Sequence, residues 1–334
     1  MKAFTINRYS KTDPLQLTDL PIPTVQPNEV LVQIHAASVN LLDAKIKSGE
    51  FKLILPYKFP LTLGHDVAGV VTQVGAKVQR FKIGDAVYAR PADFRIGTFA
   101  EYIAIHEEDV AHKPSNLSME EAASIPLVGL TAWQALVEKA QLKKGQKVFI
   151  QAGSGGVGTF AIQLAKHLGA SVATTASATN SEWLKSLGAD VVIDYKTQDF
   201  TTLLQDYDVV LNSQDAQTLS QSLSTLKAGG QLISISGPPD VQYAKEAHLP
   251  WFMQGIMWLL SRHIRSQARH KQINYQFLFM RAQGQQLQTI TSLIEAGVIR
   301  PVIDKVFAFE QTNQALAYVE NGRTKGKVVI RMIG

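Results

Sequence analysis

The stretch KVFIQAGSGGVGTFAIQLAKHLGA, Lys147 to Ala170, decides how the rest of the chain is read. It opens with an apolar run of strand length, turns through a cluster of glycines, and continues with apolar residues at helical spacing. Gly153, Gly155 and Gly158 fit the pattern G-x-G-x-x-G. The first glycine permits a tight turn, the second lets backbone approach a pyrophosphate, and the third lets the helix pack closely on the strand. A helix opening at Val157 aims its free N–H groups and positive dipole end at phosphate. Ser154, Gly155, Gly156 and Val157 are therefore the expected phosphate contacts. A lone match to this pattern is weak; here a strand precedes it and a helix follows, which is the context the motif needs. The Gly-Lys-Ser/Thr ending of a Walker loop is missing.

Beyond the turn, strands and helices alternate. SVATTA, DVVID, YDVVLNS and QLISISG read as strands, with SEWLKSLG, DFTTLLQD and AQTLSQSLSTLKAGG as the helices between them. That alternation predicts βαβ units and a doubly wound parallel sheet. The residues before about Leu117 read differently. EVLVQIHAASV, HDVAGVVTQVG, GDAVYAR and GTFAEYIAI are short strands bounded by turn residues, which predicts a β-rich, partly open barrel. Ser118 and Glu121 then form a capping-box pattern where the helices begin. A later segment, WFMQGIMWLLSRHIRSQARHKQ, is expected to be a helix whose apolar start packs in the core and whose basic end is solvated; a membrane-surface helix is the less favoured alternative.

Composition bounds the function classes. The 334 residues suffice for two domains, and 46% hydrophobic with 18% charged residues is ordinary for a globular chain. A net charge of +5 suits anionic ligands, but like charges do not gather into a tail for nucleic acid. The chain has no cysteine, which excludes disulfides, thiolate nucleophiles and cysteine-held metals. MKAFTINRYS has no apolar signal region, and the greasiest stretch, LPWFMQGIMWLL, is too short to span a bilayer. A cytoplasmic protein without a membrane partner is expected.

The second strand of the alternating region ends near Thr175, about 20 residues past the first glycine, where an NAD site places an acid on the ribose. The sequence there is TTASATNS, with no acid. A carboxylate would repel a 2′-phosphate, whereas Thr175, Ser177 and Asn180 are neutral hydrogen-bonding groups. Tyr195 offers a phenol nearby, with Lys196 beside it. NADP(H) is the expected cofactor.

The motifs ASVNLLDAKIKSG, LGHDVAGVV, GTFAEYIAI, LVGLTAWQAL, AGSGGVGTFAIQLAK, SLGADVVIDY, KAGGQLISISGPP and GRTKGKVVI occur in this order along the chain. As a set they resemble the medium-chain dehydrogenase/reductases, in the zinc-independent, quinone oxidoreductase-like (zeta-crystallin-type) branch. The resemblance implies an α/β chain. A GroES-like, β-rich substrate domain would span 1–122, completed by about 280–334. A Rossmann cofactor domain would span 123–279, with the site in the cleft between them. The cysteine that holds zinc in metal-dependent relatives falls at Asn40, and the structural zinc lobe is missing. No metal is expected, and His65 with Asp66 reads as a pair stabilising a turn. The implied chemistry is hydride transfer to a quinone or to the β-carbon of an enone, with Lys45 polarising the oxygen, Asn40 assisting, and Tyr57 a weaker proton donor. Thr131 is implied behind the nicotinamide, Ile235 and Ser236 near its ribose, Phe277, Leu278 and Phe279 at the carboxamide, and Arg323 and Lys327 as a basic motif near the cofactor. The stretch LNSQDAQ departs from the family at Asn212 to Gln214. Two other readings stay open: an alcohol dehydrogenase, and a non-catalytic NADPH-binding protein with RNA-binding behaviour. Relatives are often homodimers.

Overall fold

Val30, Val32 and Ile34 alternate with Leu31, Gln33 and His35 along Glu29–Val39, and this strand organises the first half of the molecule. In the computed structural model, which describes residues 1–332, it pairs antiparallel with Asp66–Val74, Tyr102–His106 and Lys327–Arg331. Ile303–Ala308 extends the same sheet beyond Lys327–Arg331, and Ala86–Ala89 and Val110–His112 extend it beyond Asp66–Val74. Val30, Val32, Ile34, Val67, Val71 and Ile105 form its buried core. Each contributes about 1.5–3 kcal/mol on leaving water. Register has a chemical consequence: Ser38 lies opposite Asp66, and Val39 opposite Val328. Three polar segments therefore meet at one end of this sheet.

The second half is a six-stranded parallel sheet in the order Val191–Asp194, Ser171–Ala176, Lys147–Ile150, Tyr207–Asn212, Leu226–Ser234 and Asn274–Phe277. Numbered along the chain, that order is 3-2-1-4-5-6, the arrangement of a dinucleotide-binding sheet. Phe149, Ala173, Val210 and Leu232 are almost fully buried within it, which is why its strands read as apolar runs. The chain divides into Met1–Leu130 with Arg281–Gly334, and Thr131–Met280. The first division falls inside the helix Pro126–Trp133, a few residues later than the change of sequence pattern.

Two expectations fail at element level. The helix expected over Ala216 to Gly230 ends at Ser222, and a strand begins at Leu226. Thr225 explains the stop: its hydroxyl donates back to the Ser222 carbonyl at 2.9 Å, offering the backbone an alternative to the helix. The helix Trp251–His270 forms, but its apolar start is not core. Only Met257, Ser261, Ile264 and Ala268 are buried. Trp251 is 83% exposed, Leu259 63% and Leu260 55%.

Candidate cofactor site and buried polar network

The glycine turn is pinned from the neighbouring strand. The Thr175 hydroxyl accepts from the Ala152 N–H at 3.1 Å, and the Thr175 carbonyl accepts from the Gly153 N–H at 3.0 Å. Ala152 is held at φ 51°, a conformation that costs a residue with a side chain about 1–3 kcal/mol. The three glycines are not equivalent. A Cβ on Gly153 would sit 2.2 Å from Thr174 Oγ1, and one on Gly158 would sit 2.4 Å from the Ala152 carbonyl. Both are glycine for internal packing. A Cβ on Gly155 would meet only the Ala152 carbonyl at 3.4 Å, and its φ of −78° suits any residue. Among the described residues nothing demands glycine there. Gly155 also caps the helix Gly156–His167 without a side-chain hydrogen bond. The first-turn N–H groups, including those of Gly156 and Val157, have no partner within a helix. An open backbone cradle at a positive helix end fits a pyrophosphate.

The ribose end of this site is neutral, and some of its groups are already engaged. Thr175 is buried with its hydroxyl committed to the turn. Asn180 is buried and donates to Ser177 Oγ at 3.3 Å, while Ser177 shares a hydrogen with Thr179 at 3.0 Å. Tyr195 is 62% exposed at the end of the adjacent strand. Asp194, opposite Ala176 on the adjacent strand, accepts from the Lys196 N–H and the Thr197 hydroxyl, closing its own turn.

At the other strand ends runs a hydrogen-bond chain that sequence reading missed. Gln151 donates to Ser222 at 2.6 Å, and Asn212 donates to Gln151 at 2.6 Å. Ser234 and Ser236 both donate to Asn212 Oδ1, at 2.6 and 3.2 Å. Ser236 also reaches the Gln214 carbonyl. Asn212, read from sequence as a departure in a loop, is fully buried at the end of its strand and holds these turns. The Ile235 N–H donates to the Asn212 carbonyl. Phe277 donates its N–H to Asp240 and Leu278 to the Ser234 carbonyl; Phe279 lies against Tyr243. Thr131 is buried at the start of this unit.

The other unit brings Asn40, Asp43, His65, Asp66 and Lys327 into one buried network. His65 Nδ1 donates to Asp43 Oδ1 at 2.6 Å, both side chains being fully buried. Asp43 Oδ2 accepts the Asn40 backbone N–H at 2.8 Å, closing the first turn of the helix Leu41–Ser48. Asp66 accepts from Ser38 at 2.6 Å, Asn40 Nδ2 at 2.9 Å, Lys327 Nζ at 3.1 Å and the Leu127 N–H at 2.7 Å. Three sequence expectations change here. His65 pairs with Asp43, not with Asp66. Asn40 spends its amide N–H groups on Asp66 and the Ser38 carbonyl and its oxygen on Lys327, so it has none to assist a substrate oxygen. Lys327, expected near the cofactor, is buried with its protons on Asn40, Asp66 and the Val39 carbonyl. Its Gly-Lys spacing gave no hint of that carboxylate. Arg323 is exposed in the turn before it.

This donor set does not fit a zinc ion. The position of the metal-holding cysteine is an amide already bound to an ammonium, and that ammonium neutralises Asp66. Among the described residues no group of three or more His, Asp or Glu is placed to share a metal. Among the described residues His65 Nε2 has no hydrogen-bond partner. Tyr57 donates its hydroxyl to the Asp93 carbonyl at 2.5 Å. Burial, and then the Asp93 carboxylate, push the phenol well above its ordinary range, so it keeps its proton. Lys45 stands on the helix that Asn40 caps, its Nζ 3.6 Å from Glu50 and both side chains partly exposed.

Comparison with known proteins agrees with this architecture. The alcohol dehydrogenase GroES-like domain family matches residues 26–115, and the family described as zinc-binding dehydrogenase matches 187–330. The mouse mitochondrial NAD(P)H oxidoreductase RTN4IP1 is 34% identical over 356 residues, covering 100% of this chain and 89% of that protein. The chloroplastic NADPH-dependent alkenal/one oxidoreductase of Arabidopsis thaliana is 32% identical over 99% of this chain and 79% of its own length. Among solved structures, the quinone oxidoreductase of Coxiella burnetii superposes with a TM-score of 0.87 at 30% identity, covering 100% of this chain and 99% of that one. The chain belongs to the medium-chain dehydrogenase/reductase superfamily, in its zinc-independent, quinone oxidoreductase-like branch.

Proposed function

We propose that this protein reduces quinones or α,β-unsaturated carbonyls, with NADPH as the reductant. One observation carries the cofactor half of this reading: Gly155 is open where neither packing nor backbone requires glycine, at an uncapped helix start. The second strand ends without an acid, which favours a 2′-phosphate over a bare ribose. The names borne by the Arabidopsis and Coxiella relatives support the substrate class.

When bound, NADPH supplies the hydride. The chain's own contribution is positioning and charge. Backbone N–H groups of the first helical turn would hold the pyrophosphate, with Ser154 and Gly155 supplying the turn beside it. Thr131, Ile235, Ser236, Phe279 and Arg323 remain candidate contacts to the rest of the cofactor. For the substrate, Lys45 is assigned as the donor to the carbonyl oxygen, where negative charge develops. Its exposed pair with Glu50 is worth under about 1 kcal/mol, so the ammonium is readily redirected. Asn40 positions rather than donates: with Asp43, Asp66 and Lys327 it anchors the helix that carries Lys45. The proton that completes the reduction comes from solvent, since Tyr57 holds its own.

The test is to mix protein and NADPH with a panel of quinones and short enones and to follow the reduced-nicotinamide absorbance. Oxidation with either class supports the reading. Bound cofactor without oxidation across both classes would make the protein a cofactor binder only.

A further inference from the structure

The helix Trp251–His270 presents an exposed surface that catalysis does not use. Its inner face is Met257, Ser261, Ile264 and Ala268, of which Ile264 and Ala268 pack in the core of the parallel sheet. Its outer face changes character along the axis. The first half exposes Trp251, Phe252, Ile256, Trp258, Leu259 and Leu260. The second half and its exit expose Arg262, His263, Arg269, His270 and Lys271. No Asp or Glu lies between Glu246 and Met280. At the junction, the Arg265 guanidinium sits 5.7 Å over the Trp258 ring and donates to the Trp258 carbonyl at 3.2 Å. The helix is about 30 Å long, so the apolar portion covers about half of that.

We propose that this face docks the protein on a membrane surface bearing anionic headgroups. A helix with Trp, Phe and Leu beside Arg and Lys lies in the lipid interface, its apolar side chains entering the acyl boundary and its cations meeting the headgroups. Here the protein replaces the usual polar face: the side turned from lipid is packed on the sheet. Trp258, held by Arg265 between the two halves, suits the headgroup level, where amphipathic rings collect. The helix does not cross the membrane; among the described residues no helix is long and apolar enough to do so. A second copy of the chain is a poorer occupant. Two-fold pairing over the whole helix would set basic half on basic half if the helices ran parallel and apolar half on basic half if they ran antiparallel, and pairing confined to the apolar halves would leave the cations unused in a segment without acids to meet them.

The experiment is flotation of the full chain with vesicles of phosphatidylcholine alone or with added phosphatidylglycerol. The expected result is binding to the anionic vesicles, little to the neutral ones, and release by salt. At about fivefold per cation, R262A with R269A weakens binding about 25-fold. L259S with W251S abolishes it. These side chains are exposed, so the variants fold and turn over substrate as wild type does. Lys45→Ala floats unchanged, which separates this proposal from the catalytic one. Absence of flotation with anionic vesicles, or flotation that the variants leave intact, overturns it. So does a wild-type dimer that L259S dissociates while vesicles go unbound, because the face then belongs to a second copy.

Discussion

Lys327 donates its three ammonium N–H groups to Asn40, Asp66 and the Val39 carbonyl, and that placement governs what its substitution does. Lys327→Met leaves the Asp66 carboxylate buried without its counter-ion, which costs about 3–5 kcal/mol. Urea unfolding measures this, and pairing the change with Asp66→Asn restores much of the loss. A single variant as stable as wild type would contradict the network. Lys45 behaves oppositely, because it is partly exposed and its ion pair is weak. Lys45→Ala leaves stability near wild type and lowers kcat by about 10²–10³, the cost of losing one donor to a developing oxyanion. Lys45→Arg retains part of the rate, and KM for NADPH stays put in both. Sequence alone made Lys45 and Lys327 look alike as basic residues near a site. The structure shows that one of them, Lys327, is buried beside a carboxylate, brought there by the register of Val39 with Val328.

At the level of the element, the glycine turn separates packing from binding. Gly158→Ala forces a Cβ to 2.4 Å from the Ala152 carbonyl and destabilises the fold. Gly155→Ala finds room, costs about 1 kcal/mol or less at a helix cap, and weakens NADPH by at least about tenfold. Calorimetry and cofactor titration on the two variants distinguish these outcomes; equal effects of both on stability would contradict the cradle. The helix Ala216–Ser222 carries a pH signature. Asp215 accepts the Thr218 N–H at its start, and this hydrogen bond holds the carboxyl below its ordinary value. The folded pKa is depressed, so the cap's stabilisation is present above the unfolded value near 3.8 and fades as pH falls through the folded one. Asp215→Asn, which also caps, keeps the helix while flattening that acid limb in pH-dependent unfolding. The alternating elements were legible because parallel strands buried on both faces read as apolar runs between helices. The exposed start of Trp251–His270 was not legible. Its apolar residues occupy several faces of the helix, and a period shows which residues are apolar but not what covers them.

For the whole molecule, the parallel, doubly wound character of one sheet followed from the glycine turn and the spacing of the strands after it, and the structure adds the order 3-2-1-4-5-6. Both polar networks escaped, because Gln151 with Asn212 at two strand ends, and His65 with Asp43 in the first turn of a helix, are joined by hydrogen bonds between segments separated in sequence. Ligand linkage tests the cofactor at this scale: NADPH at 100 times its Kd stabilises the protein by about 2.7 kcal/mol, read as a rise in Tm. The most direct test of the central claim is kcat/KM for NADPH against NADH with an active quinone or enone as acceptor. The account predicts that NADPH is preferred by at least about tenfold. Equal use of NADH, or no oxidation of NADPH by either class of acceptor, would contradict it.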